Sequence, residues 1–140
     1  MTEDERPIPP WVHAVSIFRI VVGTGLVVAP GAWARPWTGP GVNTPVARLM
    51  SRMFGIRELA LGVGVLTAPT TNEAARWMRL GGIADAVDGV AVLIAWRELP
   101  RFARVGNVAM GFGAAAANHL AARQLTGARD PQAGRQQATI

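Results

Sequence analysis

Five ionisable residues interrupt otherwise apolar stretches of the sequence. They are Arg19, Arg57, Glu58, Asp85 and Asp88. Carboxylates and guanidinium groups in apolar surroundings can relay protons or ions, bind a polar headgroup or small substrate, or act as acid or base on a lipophilic substrate. The same groups can instead pair with one another and hold helices in register. The sequence alone leaves both interpretations open.

The charges lie at similar depths within their apolar stretches. Arg19 follows Trp11 by eight residues, which corresponds to about 12 Å along an α-helix. Asp85 is equally far from Trp77, and the adjacent arginine and glutamate lie near the middle of their own stretch. A charge at the centre of a bilayer costs at least about 2.5–3.5 kcal/mol. We therefore expect the charges to face inward and to contact one another.

The cluster of charges is not balanced. Two arginines and three carboxylates leave one negative charge. A bound cation, a proton shared between carboxylates, or Arg52 reaching into the cluster would balance it. Asn107 and Asn118 are further candidates for supporting contacts, because asparagine hydrogen-bonds across membrane helices. We expect no metal ion and no cofactor, and the sequence identifies no catalytic residue.

Four apolar segments carry these residues. They span Trp11–Ala29, Val46–Ala68, Trp77–Trp96 and Phe102–Leu120. A helix of about 20 residues crosses a hydrocarbon core of about 30 Å. The connections contain Pro, Gly, Asn and Thr, which end helices and start turns, and Thr71 and Asn72 are the expected N-caps of the third helix. No segment has the pattern of a strand.

Each predicted helix has one stripe of small or polar residues at helical spacing. The stripes are Ser16 with Arg19 and Gly23; Ser51 with Gly55, Glu58 and Gly62; Gly81 with Asp85 and Asp88; and Asn107 with Gly111, Ala114 and Asn118. Residues three or four apart share a helix face, and small residues let membrane helices approach closely. We expect the stripes to converge inside a bundle.

The tryptophans favour a membrane location. They are Trp11, Trp33, Trp37, Trp77 and Trp96. All fall at or just beyond the ends of predicted helices, as expected for rings at headgroup level. The alternative is a soluble four-helix protein, which the interrupting charges and the mean hydropathy of only +0.23 favour. Apolar runs of this length without a polar face are uncommon in water, so we favour the membrane.

Composition limits the classes of partner. Half of the residues are apolar, 16% are charged, the net charge is +5 and there is no cysteine. A typical soluble domain is about 25% charged. Most of the other arginines occur singly or in pairs near the ends of apolar runs, where we expect them to meet lipid phosphates. Nucleic-acid binding instead requires a basic solvent face. The absence of cysteine excludes disulfides and thiol chemistry.

The second apolar segment contains Arg52-Met-Phe-Gly-Ile-Arg-Glu-Leu-Ala-Leu-Gly62. This motif resembles the signature of a group of small bacterial integral membrane proteins, of actinobacterial type and unknown function. Those proteins also have an aspartate-containing third helix, which is similar to Gly82-Ile-Ala-Asp85-Ala-Val-Asp88 in the third segment. The resemblance covers about residues 11–122. It implies a membrane location and a four-helix fold, and it implies no activity and no functional residue.

We therefore predict an all-α bundle of four transmembrane helices in a multi-pass protein of the cell membrane. Residues 1–10 and 123–140 form polar tails, and residues 11–122 form the transmembrane domain. The favoured function is a non-enzymatic membrane component with an intramembrane ion-pair network. Its expected partners are the lipid bilayer and a second copy or a membrane complex, without nucleic acid. A small proton- or ion-coupled transporter and a membrane-embedded enzyme acting on a lipophilic substrate are the alternatives.

Overall fold

The structure, a computed structural model, describes residues 7–127. Its helices are α1 (Pro10–Val28), α2 (Pro30–Thr38), α3 (Pro45–Leu66), α4 (Thr71–Ile94) and α5 (Arg101–Leu125), with a 3-10 helix at Gly39–Asn43. The described residues contain no strand, so the all-α prediction is confirmed. Residues 1–6 and 128–140, which make up most of the predicted polar tails, lie outside the described residues.

Local signals explain where the helices begin. Proline occupies the first turn of α1, α2 and α3, where its missing N–H is not needed. The Thr44 hydroxyl accepts a backbone N–H at 3.2 Å and caps α3. Thr70 caps α4 in the same way, by accepting the N–H of Glu73 at 3.2 Å. The predicted caps, Thr71 and Asn72, are instead the first two residues of α4.

The sequence does not predict helix α2. Pro30 and Gly31 are expected to end the first helix and begin a connection, but Pro30 begins a helix of 9 residues. A proline is compatible with both outcomes, because it stops the preceding helix and fits the first turn of the next. Ala34 of α2 and Val42 of the 3-10 helix are buried in one cluster with Leu26. Helix α2 therefore covers one end of α1.

Helix α5 extends beyond the predicted domain boundary at residue 122 and ends at Leu125. Ala121, Ala122 and Leu125 are buried in one apolar cluster with Val12 of α1 and Met78 of α4. The polar residues that mark the start of the predicted tail form the exposed face of the same helical turn. Packing against two other helices therefore continues α5 past the end of the apolar run.

The long helices form two closely packed antiparallel pairs, α1 with α3 and α4 with α5. Glycines permit the close approach in both pairs. A Cβ atom at Gly23 would lie 2.6 Å from the Gly55 carbonyl oxygen, and one at Gly111 would lie 2.9 Å from the Gly89 Cα. Contact between α3 and α4 is less extensive. Side chains that cross from one pair to the other are therefore needed to join them.

Two tryptophans pack against glycines. A Cβ atom at Gly25 would lie 2.1 Å from the Trp33 ring, and one at Gly64 would lie 2.3 Å from the Trp77 ring. Each ring therefore lies on the backbone of a neighbouring helix, Trp33 on α1 and Trp77 on α3. The position of these tryptophans near helix ends does not reveal this packing role.

By length and composition, α1 is the one helix among the described residues that could cross a membrane. A single apolar helix near the N-terminus is also typical of a buried core helix or of a signal sequence. The other long helices contain charged residues and many small ones, which lower their hydropathy. Length and hydropathy therefore identify α1 as a candidate span. They do not support the other three predicted spans.

Candidate functional site

The five charged residues and Asn118 form one continuous series of contacts between the helices. We call this series the ion-pair network. Its order is Asn118, Asp85, Arg19, Glu58, Arg57 and Asp88. Helix α1 supplies the central arginine, α3 supplies the adjacent arginine and glutamate, α4 supplies both aspartates and α5 supplies the asparagine. All four long helices therefore contribute to a single polar assembly.

Arg19 is the centre of the network and joins the two helix pairs. Its Nη1 donates to Glu58 Oε2 of α3, and its Nη2 donates to Asp85 Oδ2 of α4. The Arg19 side chain is 7% exposed, and those of its two partners are 8% and 9% exposed. A guanidinium can hold two carboxylates at once because its donors point in fixed directions. Arg19 thus links α1 to both α3 and α4.

Glycines provide the space that the Arg19 side chain occupies. A Cβ atom at Gly81 of α4 would lie 3.5 Å from Arg19 Nη2 and 3.3 Å from Asn118 Oδ1. A Cβ atom at Gly62 of α3 would lie 3.3 Å from the Arg19 Cβ and 2.6 Å from the Ser16 carbonyl oxygen. These glycines of the predicted stripes therefore bring the helices together and also leave room for the buried arginine.

Arg57 and Asp88 form the outer end of the network. Arg57 Nη1 and Nη2 donate to Asp88 Oδ1 and Oδ2 at 2.9 and 2.5 Å, a two-bond fork. Arg57 Nη2 also donates to Glu58 Oε1 at 3.0 Å, and the guanidinium lies 4.4 Å from the centre of the Phe54 ring. The Arg57 and Asp88 side chains are 31% and 34% exposed. This end of the network therefore reaches the protein surface.

Asp85 and Asn118 form the buried inner end. Asn118 Nδ2 donates to Asp85 Oδ2 and to the Ala114 carbonyl oxygen, both at 2.8 Å. Asn118 is 2% exposed, yet its Oδ1 has no hydrogen-bond partner among the described residues. Asp85 Oδ2 thus accepts hydrogen bonds from both Arg19 and Asn118.

The other two residues predicted to support the cluster lie elsewhere. Arg52 is exposed, and its Nε donates to the Val27 carbonyl oxygen at 3.2 Å. It therefore does not balance the charge of the network. Asn107 Nδ2 donates to the Trp37 carbonyl oxygen at 3.1 Å and joins α5 to α2. Of the three supporting candidates, Asn118 is the one that contacts the charged residues.

The network alternates positive and negative groups, so its carboxylates do not converge on one point. Among the described residues, no three acidic or histidine side chains are grouped closely enough to hold a metal ion. Two surface hollows are lined by other residues: Glu73, Arg76, Trp77, Arg79 and Leu80 for one, and Phe18, Val22, Ala32, Trp33, Pro36 and Trp37 for the other. The arrangement of alternating charges therefore fits ion pairing between helices.

Comparison with known proteins finds no matching family model, no similar curated protein and no similar solved structure.

Replacing Asp88 with asparagine is expected to lower the free energy of unfolding by about 1.5–3 kcal/mol, less than the loss of a buried ion pair, because Arg57 keeps Glu58 as a second carboxylate partner. Denaturation of the purified protein measures this change. Glu98→Gln is the matched control, because it alters an exposed carboxylate outside the network and should leave stability unchanged. A loss for Asp88→Asn as large as that for a buried charge would contradict the graded burial of the network.

Proposed function

We propose that this protein is a multi-pass integral membrane protein, and that it acts as a non-enzymatic membrane component. In this proposal α1, α3, α4 and α5 cross the bilayer, and the ion-pair network holds them in register. The observation that carries the proposal is the distribution of side chains around each helix. Charged groups face the interior of the bundle, and large apolar side chains face outward at the same level.

Neighbouring residues show this inverted distribution on three helices. In α1, Arg19 is 6% exposed, whereas Phe18 beside it is 65% exposed. In α3, Glu58 is buried and Ile56 is exposed; in α4, Asp85 is buried and Ile83 is exposed. Many other large apolar side chains among the described residues are also exposed, and a monomeric protein in water rarely exposes large apolar patches. In a lipid bilayer, exposed apolar side chains are favourable, and charged side chains must face the interior of the bundle.

Helix length supports the same proposal. The four long helices contain 19, 22, 24 and 25 residues, and at the rise of an α-helix they measure about 28 to 37 Å. The hydrocarbon core of a bilayer is about 30 Å thick. Helix α2 has 9 residues and is too short to span. The resemblance of residues 52–62 in α3 to a group of small bacterial integral membrane proteins agrees with this arrangement.

Labelling of single cysteines tests the membrane proposal directly, since the sequence contains no cysteine of its own. Pro69→Cys and Gly41→Cys place a thiol beyond opposite ends of α3, and Ile83→Cys places one on the outer face of α4. In sealed membrane vesicles, an impermeant maleimide should label one of the two end positions and not the other. The thiol at residue 83 should react only after the membrane is dissolved and the protein denatured.

The soluble alternative predicts a different pattern for the same three variants. All three thiols would then react at similar rates without any treatment of the membrane, and the protein would remain in the supernatant after centrifugation. Alkaline carbonate extraction of the wild-type protein is an independent control, because an integral protein stays in the membrane pellet.

A proton- or ion-coupled carrier is a second candidate, favoured by the exposure of one end of the network. The Arg57–Asp88 pair is about one-third exposed while the rest of the network is buried, so a polar path could start there. Proton or cation flux into proteoliposomes, measured for the wild-type protein and for Asp88→Asn, tests this candidate. Wild-type protein that carries no flux under any imposed gradient counts against it.

A further inference from the structure

The contacts of the network show which charged groups it contains and therefore what its net charge is. Two guanidinium groups, Arg19 and Arg57, contact three carboxylates, Glu58, Asp85 and Asp88. Arg52, the third arginine considered for charge balance, contacts the Val27 carbonyl oxygen instead. If all three carboxylates were ionised, the assembly would hold one uncompensated negative charge, which is costly in a buried site.

The hydrogen bonds show which carboxylate has an oxygen that accepts no hydrogen bond. Asp88 uses both oxygens to accept from Arg57, and Glu58 uses one oxygen for each arginine. Asp85 accepts twice through Oδ2, and its Oδ1 accepts no hydrogen bond within the described part of the chain. Beside it, the buried Asn118 Oδ1 also lacks a partner. Asp85 and Asn118, which contact each other through Asp85 Oδ2 and Asn118 Nδ2, thus each retain one oxygen acceptor without a donor among the described residues.

We propose that the ion-pair network binds one exchangeable proton, carried on Asp85 Oδ1 and donated in a hydrogen bond to Asn118 Oδ1. A protonated carboxyl has one O–H donor and one acceptor oxygen, and a primary amide has both donors and an acceptor. Asn118 already donates to Asp85 Oδ2 at 2.8 Å. The added O–H closes the reciprocal pair between acid and amide, and it makes the network neutral.

The groups around Asp85 are compatible with this proton. Arg19 of α1 keeps Glu58 of α3 as its ionised partner and still donates to the carbonyl oxygen of the neutral acid. Arg57 of α3 remains paired with Asp88 of α4. Helix α5 faces Asp85 with the uncharged amide of Asn118. Loss of the proton is therefore expected to restore one negative charge to the buried end and to loosen the contact between α4 and α5.

Infrared spectroscopy of the purified full-length protein tests the proposal without requiring a membrane. At neutral pH the wild-type protein should show the carbonyl band of a protonated carboxyl group. The band should shift when aspartate carboxyls are labelled with carbon-13 and should stay in place when glutamate carboxyls are labelled. Asn118→Ala should move the band, because it removes the hydrogen bonds of the amide. Asn107→Ala is the matched control on the same helix and should leave the band unmoved.

Stability supplies the second measurement. Asparagine imitates the protonated form of aspartate, so Asp85→Asn should lack the band and should keep the melting midpoint of the wild-type protein at neutral pH, whereas Asp85→Ala should lower it. The folded wild-type protein holds a proton that the unfolded chain releases. Its melting midpoint should therefore fall as pH rises. The melting midpoint of Asp85→Asn should show no such fall. The absence of a protonated-carboxyl band, a band that follows the glutamate label, or an Asp85→Asn variant that does not fold would each overturn the proposal.

Discussion

Replacing Arg19 with leucine is expected to lower the free energy of unfolding by about 3–5 kcal/mol, the usual cost of breaking a buried ion pair. Arg19 is 6% exposed and binds carboxylates on two other helices. Leucine would leave Glu58 without its buried cation and Asp85 without one of its two donors. In the proposed membrane setting, a titration of micelles with a denaturing detergent, followed by circular dichroism, measures the change.

Arg52→Leu is the matched control for this change, because Arg52 is exposed and makes one hydrogen bond outside the network. It should cost about 1 kcal/mol or less. Combining Arg19→Leu with Glu58→Leu removes a cation and an anion together and should recover at least half of the loss, as expected when a charge pair is replaced by apolar groups. An Arg19→Leu loss no larger than that of Arg52→Leu would show that the network contributes little to stability.

Gly23→Ala is expected to destabilise the protein by about 2–3 kcal/mol, because one added methyl group overpacks the contact between α1 and α3. The new Cβ would lie 2.6 Å from the Gly55 carbonyl oxygen and 2.8 Å from the Leu59 backbone nitrogen. Backbone atoms cannot turn away as a flexible side chain can, so the two helices must separate. Because Arg19 lies one turn from Gly23, that separation should also lengthen its contact with α3.

Gly113→Ala makes the same chemical change where there is nothing within 4 Å of the new Cβ. Alanine is favoured over glycine in a helix by about 0.5–1 kcal/mol, so this variant should be slightly more stable than the wild-type protein. The two variants should therefore shift the unfolding midpoint in opposite directions. If both variants were stabilised equally, helix propensity, and not the α1–α3 contact, would determine the effect of Gly23→Ala.

The contact between charged residues of different helices could be predicted in part, because the rise of an α-helix is constant and places equally spaced residues at the same level of a bundle. Arg19 and Asp85 both lie eight residues from a tryptophan, and the structure places them in contact. The particular partners could not be predicted, because they depend on the rotation of each helix about its axis. Arg52 and Arg57 belong to the same helix, yet one joins the network and the other does not.

Helix α2 and the end of α5 could not be predicted from the sequence, for a different reason. Pro30 fits both a helix stop and a helix start, so local chemistry does not distinguish a connection from α2. Leu125 belongs to α5 because it packs with residues distant in the sequence. Trp33 and Trp77 appear in the sequence as interfacial residues, but their contacts with Gly25 and Gly64 arise only when the helices come together.

The pairing of Arg19 has a consequence for how the protein is made. Its partners Glu58 and Asp85 follow it by 39 and 66 residues, so at about 5–20 residues per second the ribosome delivers the first of them roughly 2–8 s later. If α1 is released into lipid alone, its arginine has no counter-ion during that interval. If the protein spans the bilayer as proposed, we expect α1 to remain at the insertion machinery until α3 emerges, and the two helices to enter the bilayer together. Ribosome-bound chains in which α1 has left the ribosome but residue 58 has not should then cross-link α1 to the insertion machinery, and chains that also expose α3 should not.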